Sequence, residues 1–204
     1  NNQGCCTYTL VHKGSPICEV SLEVPGLHNV YNSLAAIAVA RHMELPYESI
    51  LTGLKNFTGT NRRFQKKGTV NGITIIDDYA HHPDEINATL STAEKYPHKK
   101  LTVVFQPHTY TRTKAFLNDF AKTLSRADRI ILADIYAARE TDTLGISSED
   151  ICRLIKEYGT ECIYEPDFDR IPTLIKELCS DGDLVITMGA GNIVEVGETL
   201  INNP

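Results

Sequence analysis

The chain has 204 residues, 42% hydrophobic and 23% charged, with a formal net charge of −6. That size can bury a substantial core and holds one domain plus part of another, and the composition is that of an ordinary soluble protein. The acidic balance argues against a general nucleic-acid binder, which needs a basic face. No apolar run is long enough to cross a membrane as a helix, and no signal-peptide pattern opens the sequence. Six cysteines (Cys5, Cys6, Cys18, Cys152, Cys162, Cys179) show neither C-x-x-C spacing nor a regular framework. A chain this long needs no disulfide staples, so they read as reduced thiols in a cytoplasmic protein.

Taken in order, residues 7–24 alternate as two strands turned at Lys13-Gly14-Ser15-Pro16. A sequence that opens inside such a hairpin reads as part of a longer protein. Pro25-Gly26 closes the hairpin, and an Ala-rich helix follows over about 27–43. Its Leu34, Ile37, Ala38 and Arg41 stand at spacings of three and four, which predicts one buried face. Pro46 starts a second helix to about 54, and the turn-rich residues 56–61 set a boundary between 1–61 and 62–204.

Beyond the boundary, strand and helix alternate. A hairpin, 64–70 and 73–77, turns at Asn71-Gly72. Pro83, Asp84 and Glu85 open a helix to about 95, followed by a strand over 101–106 and a helix over about 114–125. A strand at 129–134 leads to a long loop, 135–146. Ser147 or Ser148 caps the next helix, which Gly159 ends, and Asp150 completes a capping box. Strand 161–164, helix 169–179, strand 183–187 and a helix from about 192 finish the chain. This alternation predicts an α/β fold: a mainly parallel sheet with helices on both faces.

From Asp77, where the strand ends, to the helix at Pro83 come two carboxylates, a phenol and two imidazoles. That is the carboxyl end of a strand, where α/β sheets bind ligands. The same residues also suit a polar loop whose aspartates cap the next helix. Arg62 and Asp77 read as a surface ion pair, worth under about 1 kcal/mol, and Asp134, Arg139 and Glu140 as a solvated loop. A zinc site at Asp77, His81, His82 and His108 is disfavoured, because adjacent histidines rarely share an ion and structural spacings are absent. Gly189-Ala190-Gly191 is too short for a dinucleotide fingerprint, and no glycine-rich phosphate loop ending in G-K-[ST] occurs.

Three motifs stand together in order: Gly59-Thr60-Asn61-Arg62-Arg63-Phe64, then Asp77-Asp78-Tyr79-Ala80-His81-His82-Pro83, then Phe105-Gln106-Pro107-His108. They resemble the Mur ligases of peptidoglycan synthesis, over about residues 26–193, and within that family the branch that adds L-alanine to UDP-N-acetylmuramate. The resemblance implies a Rossmann-like C-terminal Mur ligase domain at 62–204, preceded at 1–61 by the tail of the central ATP-binding domain. It implies ATP and Mg2+ as cofactors, with UDP-N-acetylmuramate and L-alanine joined through an acyl phosphate.

The resemblance also implies roles for residues. His28, Asn29 and Asn32 lie against adenine, although Asn29 alone would equally serve as a helix cap. Arg63 reaches ATP, and Asp78 accepts from the ribose hydroxyls. Tyr79, His81 and His108 line the amino-acid pocket, with His81 orienting the amine or taking its proton. Arg112 holds the alanine carboxylate. Many relatives carry a second arginine directly after the last motif's histidine, where this chain has Thr109. The glycine turn shapes the interdomain cleft, and Gly59 is a hinge for domain closure. In the family the phosphate loop and the UDP-gripping domain lie upstream, so this stretch is expected to fold but to be inert alone. Two alternatives stay open: a recycling ligase that attaches a tripeptide, and a non-catalytic α/β domain that binds a nucleotide or a partner.

Overall fold

The computed structural model describes residues 4–203. They fall into two compact units, one of residues before Asn61 together with Ser91–Pro97, the other of the remainder. In the first unit, β1 (Cys5–His12) and β2 (Ser15–Pro25) form an antiparallel pair. Two helices follow, α1 (His28–His42) and α2 (Tyr47–Asn56). Leu10, Val20, Leu22, Val24, Ile37 and Ile50 make its core.

Two details depart from the sequence pattern. The buried stripe of α1 carries Ser33 and Ile37, whereas Leu34 and Arg41 are exposed. The hydroxyls of Tyr8 and Ser33 are 2.6 Å apart and Ser33 donates to the Val30 carbonyl, which satisfies the buried serine. Alanines on several faces leave apolar spacing a poor guide to which face is buried. Pro46 is extended (φ −66°, ψ 148°) and precedes α2 rather than opening it.

The second unit holds a six-stranded sheet. Its strands are β3 (Gln65–Val70), β4 (Ile73–Asp78), β5 (Leu101–Phe105), β6 (Arg129–Leu132), β7 (Glu161–Tyr164) and β8 (Leu184–Met188), in the order β3-β4-β8-β5-β6-β7. Only β3 runs antiparallel to its neighbour. It is joined to β4 by Asn71 and Gly72, both at positive φ (51° and 79°), as a two-residue hairpin turn requires. Every residue of β5, β6 and β8 is buried, the pattern of central strands covered on both faces.

Five helices lie between the strands, α3 (Pro83–Ala93), α4 (Tyr110–Ala115), α5 (Leu117–Leu124), α6 (Ser148–Glu157) and α7 (Ile171–Leu178), and α8 (Val194–Asn202) follows β8. Ile75, Val104, Ile131 and Val185 pack with Ile171, Ile175, Val196 and Leu200, so α7 and α8 cover one face. Successive strand residues point to opposite faces, and Phe105, next to Val104, meets Phe120 of α5 on the other (5.5 Å between centroids). The capping box forms as the sequence predicts, with the Ser147 amide donating to Asp150 Oδ2 at 3.0 Å.

The helix expected over 114–125 is instead two, broken at Phe116 (φ −112°, ψ 23°). The first starts earlier because Thr109 is its cap, its Oγ1 accepting from the Arg112 amide at 3.4 Å. The break turns the Phe116 ring against His82 (4.7 Å) and Phe120 (6.3 Å).

Candidate functional site

Because β8 lies between β4 and β5, the loops leaving the carboxyl ends of these strands are neighbours. They carry residues 79–82, 106–109 and 189–192. Arg62 binds two of them together. Its Nε donates to Asp77 Oδ2 at 2.9 Å, Nη2 to the Gly189 carbonyl at 2.7 Å and Nη1 to the Gly191 carbonyl at 3.1 Å. Its guanidinium lies 4.8 Å from the Tyr79 ring centroid, and its carbonyl accepts the Tyr79 amide at 2.7 Å. Asp77 is fully buried and also accepts from Thr187 Oγ1 at 2.7 Å. The surface ion pair read from the sequence is therefore a buried clamp. The glycines are needed here, since a Cβ on Gly191 would sit 2.3 Å from Gln106 Oε1.

Asp78, on the opposite face of β4, turns inward. It is 5% exposed, and its two oxygens accept the Phe64 and Ala80 amides, each at 2.8 Å. Burial raises its carboxyl above the ordinary value, and the Ala80 and Phe64 amides and Arg63 only partly oppose this. Arg62 and Phe64, at φ 59° and 45°, turn the main chain on either side of Arg63. The Arg63 side chain is left half exposed, 3.9 Å from Glu85 and 5.9 Å from the Tyr79 ring centroid.

His81 Nδ1 lies 3.0 Å from the Tyr79 carbonyl and 3.3 Å from Glu85 Oε2. Both neighbours accept, so this nitrogen carries a proton. Burial acts to raise the Glu85 carboxyl. The His81 amide and imidazole, the His82 amide and Arg63 outweigh it and hold Glu85 below the ordinary carboxylate range.

The His108 ring lies 6.0 Å from that of His81 and stacks on Tyr136 at 5.6 Å. Arg112 Nη1 lies 3.3 Å from His108 Nδ1. A guanidinium only donates, so this nitrogen accepts and Nε2 carries the proton. Desolvation, then Arg112 and His81, depress the His108 imidazole below its ordinary value, which favours the neutral ring. Thr109 is held at φ 69°, uncommon for a β-branched residue. Its amide donates to the Tyr136 carbonyl at 2.9 Å.

The second unit thus brings Arg63, Asp78, Tyr79, His81, His108 and Arg112 to one end of the sheet. His28, Asn29 and Asn32 are on the first turn of α1 in the first unit. There Asn29 Nδ2 donates to the Pro25 carbonyl at 2.8 Å and its Oδ1 accepts from Asn32 at 3.0 Å. Leu27 stands at the cap position, so Asn29 does not cap the helix through its side chain.

Three residues of the site escaped the sequence reading: the Arg62 clamp, Glu85 and Tyr136. Glu85 stands four residues after His81, on the first turn of a helix, and that spacing was a usable signal. Tyr136 lies in a long loop and gave none. A separate cleft of about 840 Å³ lies along α6 and β7, lined by Cys152, Arg153, Lys156, Cys162 and Tyr164. All six cysteines are free, and burial pushes the Cys162 thiol up, away from nucleophilic use.

Residues 62–191 match the family model described as Mur ligase, glutamate ligase domain. The chain is 61% identical over 198 residues to the UDP-N-acetylmuramate–L-alanine ligase of Lachnospira eligens, covering 97% of this chain and 43% of that protein. It is 59% identical to the enzyme of the same name from Agathobacter rectalis, covering 98% and 44%. The crystal structure of UDP-N-acetylmuramate-alanine ligase from Thermotoga maritima superposes with a TM-score of 0.84 at 28% identity, covering 98% of this chain and 43% of that one. The chain spans less than half the length of these relatives. With the family model matched across most of the sheet-bearing unit, the chain belongs to the Mur ligase family.

Proposed function

We propose that the chain is part of an ATP-dependent ligase that joins L-alanine to UDP-N-acetylmuramate. Residues 1–61 would be the end of the central ATP-binding domain and 62–204 the C-terminal domain. The observation that carries this reading is the grouping, in a chain 61% identical to a ligase of that name, of an exposed arginine, two imidazoles of opposite tautomer and a second arginine.

Bound ATP would supply the phosphoryl group that activates the muramic carboxylate as an acyl phosphate. Arg63 is the residue of this unit suited to meet its phosphates, being permanently charged and outside the buried clamp. In the first unit, an amide side chain both donates and accepts, so Asn29 and Asn32 on the first turn of α1 fit, with His28, a purine edge. Asp78 holds the main chain on both sides through two amides, and the lone pairs left on its oxygens are the ones that would accept from the ribose hydroxyls. Among the described residues no three His, Cys, Asp or Glu side chains converge as metal ligands would. In this reading the phosphate loop and the magnesium ligands come from other segments of the enzyme, and the chain would be inert without them.

For the second step the amine must be uncharged, close to the acyl carbon and aligned. His81, with its proton fixed on Nδ1, offers the Nε2 lone pair as a base. His108 Nε2–H and the Tyr79 ring border the same space, and Arg112 is the donor for the alanine carboxylate. The Arg112 guanidinium also spans to the His108 carbonyl (3.4 Å). Thr109 fixes the turn that carries it, which accounts for a helix-capping residue where a second arginine often stands.

The test uses the longer ligase that carries this chain, with ATP, magnesium and UDP-N-acetylmuramate. Phosphate release is followed on adding L-alanine, glycine, L-serine or the recycling tripeptide. Fast release with L-alanine is the expected result, and His81→Ala should slow it about a hundredfold to ten-thousandfold. Release with the tripeptide alone would move the chain to the recycling branch and withdraw the role of Arg112.

A further inference from the structure

Glu85, on the first turn of α3, touches both residues given catalytic roles above. Its Oε2 accepts the main-chain amides of His81 (3.0 Å) and His82 (3.2 Å) and lies 3.3 Å from His81 Nδ1. Its Oε1 is 3.9 Å from Arg63 Nη1. One carboxylate therefore spans from the arginine assigned to the phosphates to the imidazole assigned to the amine.

We propose that Glu85 is a positioning residue for amide-bond formation, its charge balancing the imidazolium that His81 becomes while holding Arg63 beside it. The proposal rests on the alanine-ligase reading. In the step concerned, the amine lone pair forms the C–N bond and the acyl C–O bond breaks to release phosphate. One amine proton passes to His81 Nε2, and Glu85 takes none. With Nδ1–H held between the Tyr79 carbonyl and the Glu85 carboxylate, the positive charge forms against a negative group already in place.

A humbler role would be to pin the loop by accepting two amides, and a glutamine oxygen can do that equally well. Glu85→Gln therefore separates the two. In the longer ligase, Glu85→Gln should lower kcat about ten- to a hundredfold, the range of a hydrogen bond to a charged group. KM for L-alanine should stay within about twofold, and the variant should be no better than Glu85→Ala. Glutamine restoring wild-type turnover would overturn the proposal.

A second measurement is independent of turnover. In the 204-residue chain with 15N-labelled histidine, the His81 Nδ1–H resonance should move upfield in Glu85→Gln with an unchanged unfolding midpoint. An unmoved resonance would also overturn the proposal. If the parent protein ligates none of the amino acids, the alanine-ligase reading fails by itself, and the resonance still decides whether Glu85 acts on His81.

Discussion

Replacing Arg62 by alanine should cost the second unit more than any exchange on its surface. The change leaves the Asp77 carboxylate, fully buried, with only Thr187 Oγ1 as a side-chain donor among the described residues, and removes the Arg62 donors from the Gly189 and Gly191 carbonyls. Removing one partner of a buried pair costs about 3–5 kcal/mol. Arg62 keeps 21% of its side chain exposed, so water can reach part of the gap and about 3 kcal/mol is the better figure. At about 2–4 °C per kcal/mol for a unit of this size, the melting temperature should fall by about 6–12 °C.

Urea unfolding of the chain followed by circular dichroism measures the loss directly. The sharper signature is a double-mutant cycle. Asp77→Asn alone should destabilise, since it weakens a charge-assisted bond to Arg62. In the Arg62→Ala background the same change should become favourable, because it removes a stranded charge. A loss below about 1 kcal/mol, or additive single effects, would refute the clamp and return the pair to the energetics of exposed ion pairs.

Two further expectations concern the hairpin and a histidine. Gly72→Ala should cost about 1–2 kcal/mol or more, because φ is 79° and the new Cβ would stand 1.9 Å from Asp181 Oδ1. Gly14→Ala, at φ 81° with nothing near its Cβ, should cost less in the same urea assay, and equal costs would remove the steric share. The His108 imidazole is held below its ordinary 6.5, so between the two values the unfolded chain binds more protons than the folded one. The stability this gives is complete above about pH 6.5 and lost as pH falls through the lower, folded value. His108→Gln should flatten that part of the stability profile, and an unchanged slope would rule His108 out as its source.

Much of the sheet was legible because its signals are local. Asn71-Gly72 dictates a tight hairpin, Ser147 with Asp150 a helix start, and the apolar runs at 101–105, 129–132 and 184–188 a buried sheet. The failures came where a distant contact chose between equal local options. On an Ala-rich helix apolar spacing marks no single face, and α1 buries Ser33 beside the Tyr8 hydroxyl while Leu34 is exposed. The break at Phe116 depends on aromatic partners at 82 and 120. Arg62 looked like solvent-facing charge because its acceptors include two glycine carbonyls more than a hundred residues away. The residue types at the site were readable from their motifs, but the hydrogen bonds that set the histidine tautomers were not.

The place of β8 bears on the order in which the molecule can be made. The strand is the last of the sheet's six strands in chain order, yet it fills the middle of the sheet between β4 and β5. Until residues 184–188 leave the ribosome, β4 and β5 each present a bare hydrogen-bonding edge lined by Val and Ile. Such edges invite pairing with other chains, and a nascent chain that exposes them is the species that chaperones exist to shield. Closure of the sheet, and with it the gathering of Arg62, Asp77 and the glycine turn, is therefore an event that follows translation of nearly the whole unit. Its loops can take up their final positions only once the central strand is in place.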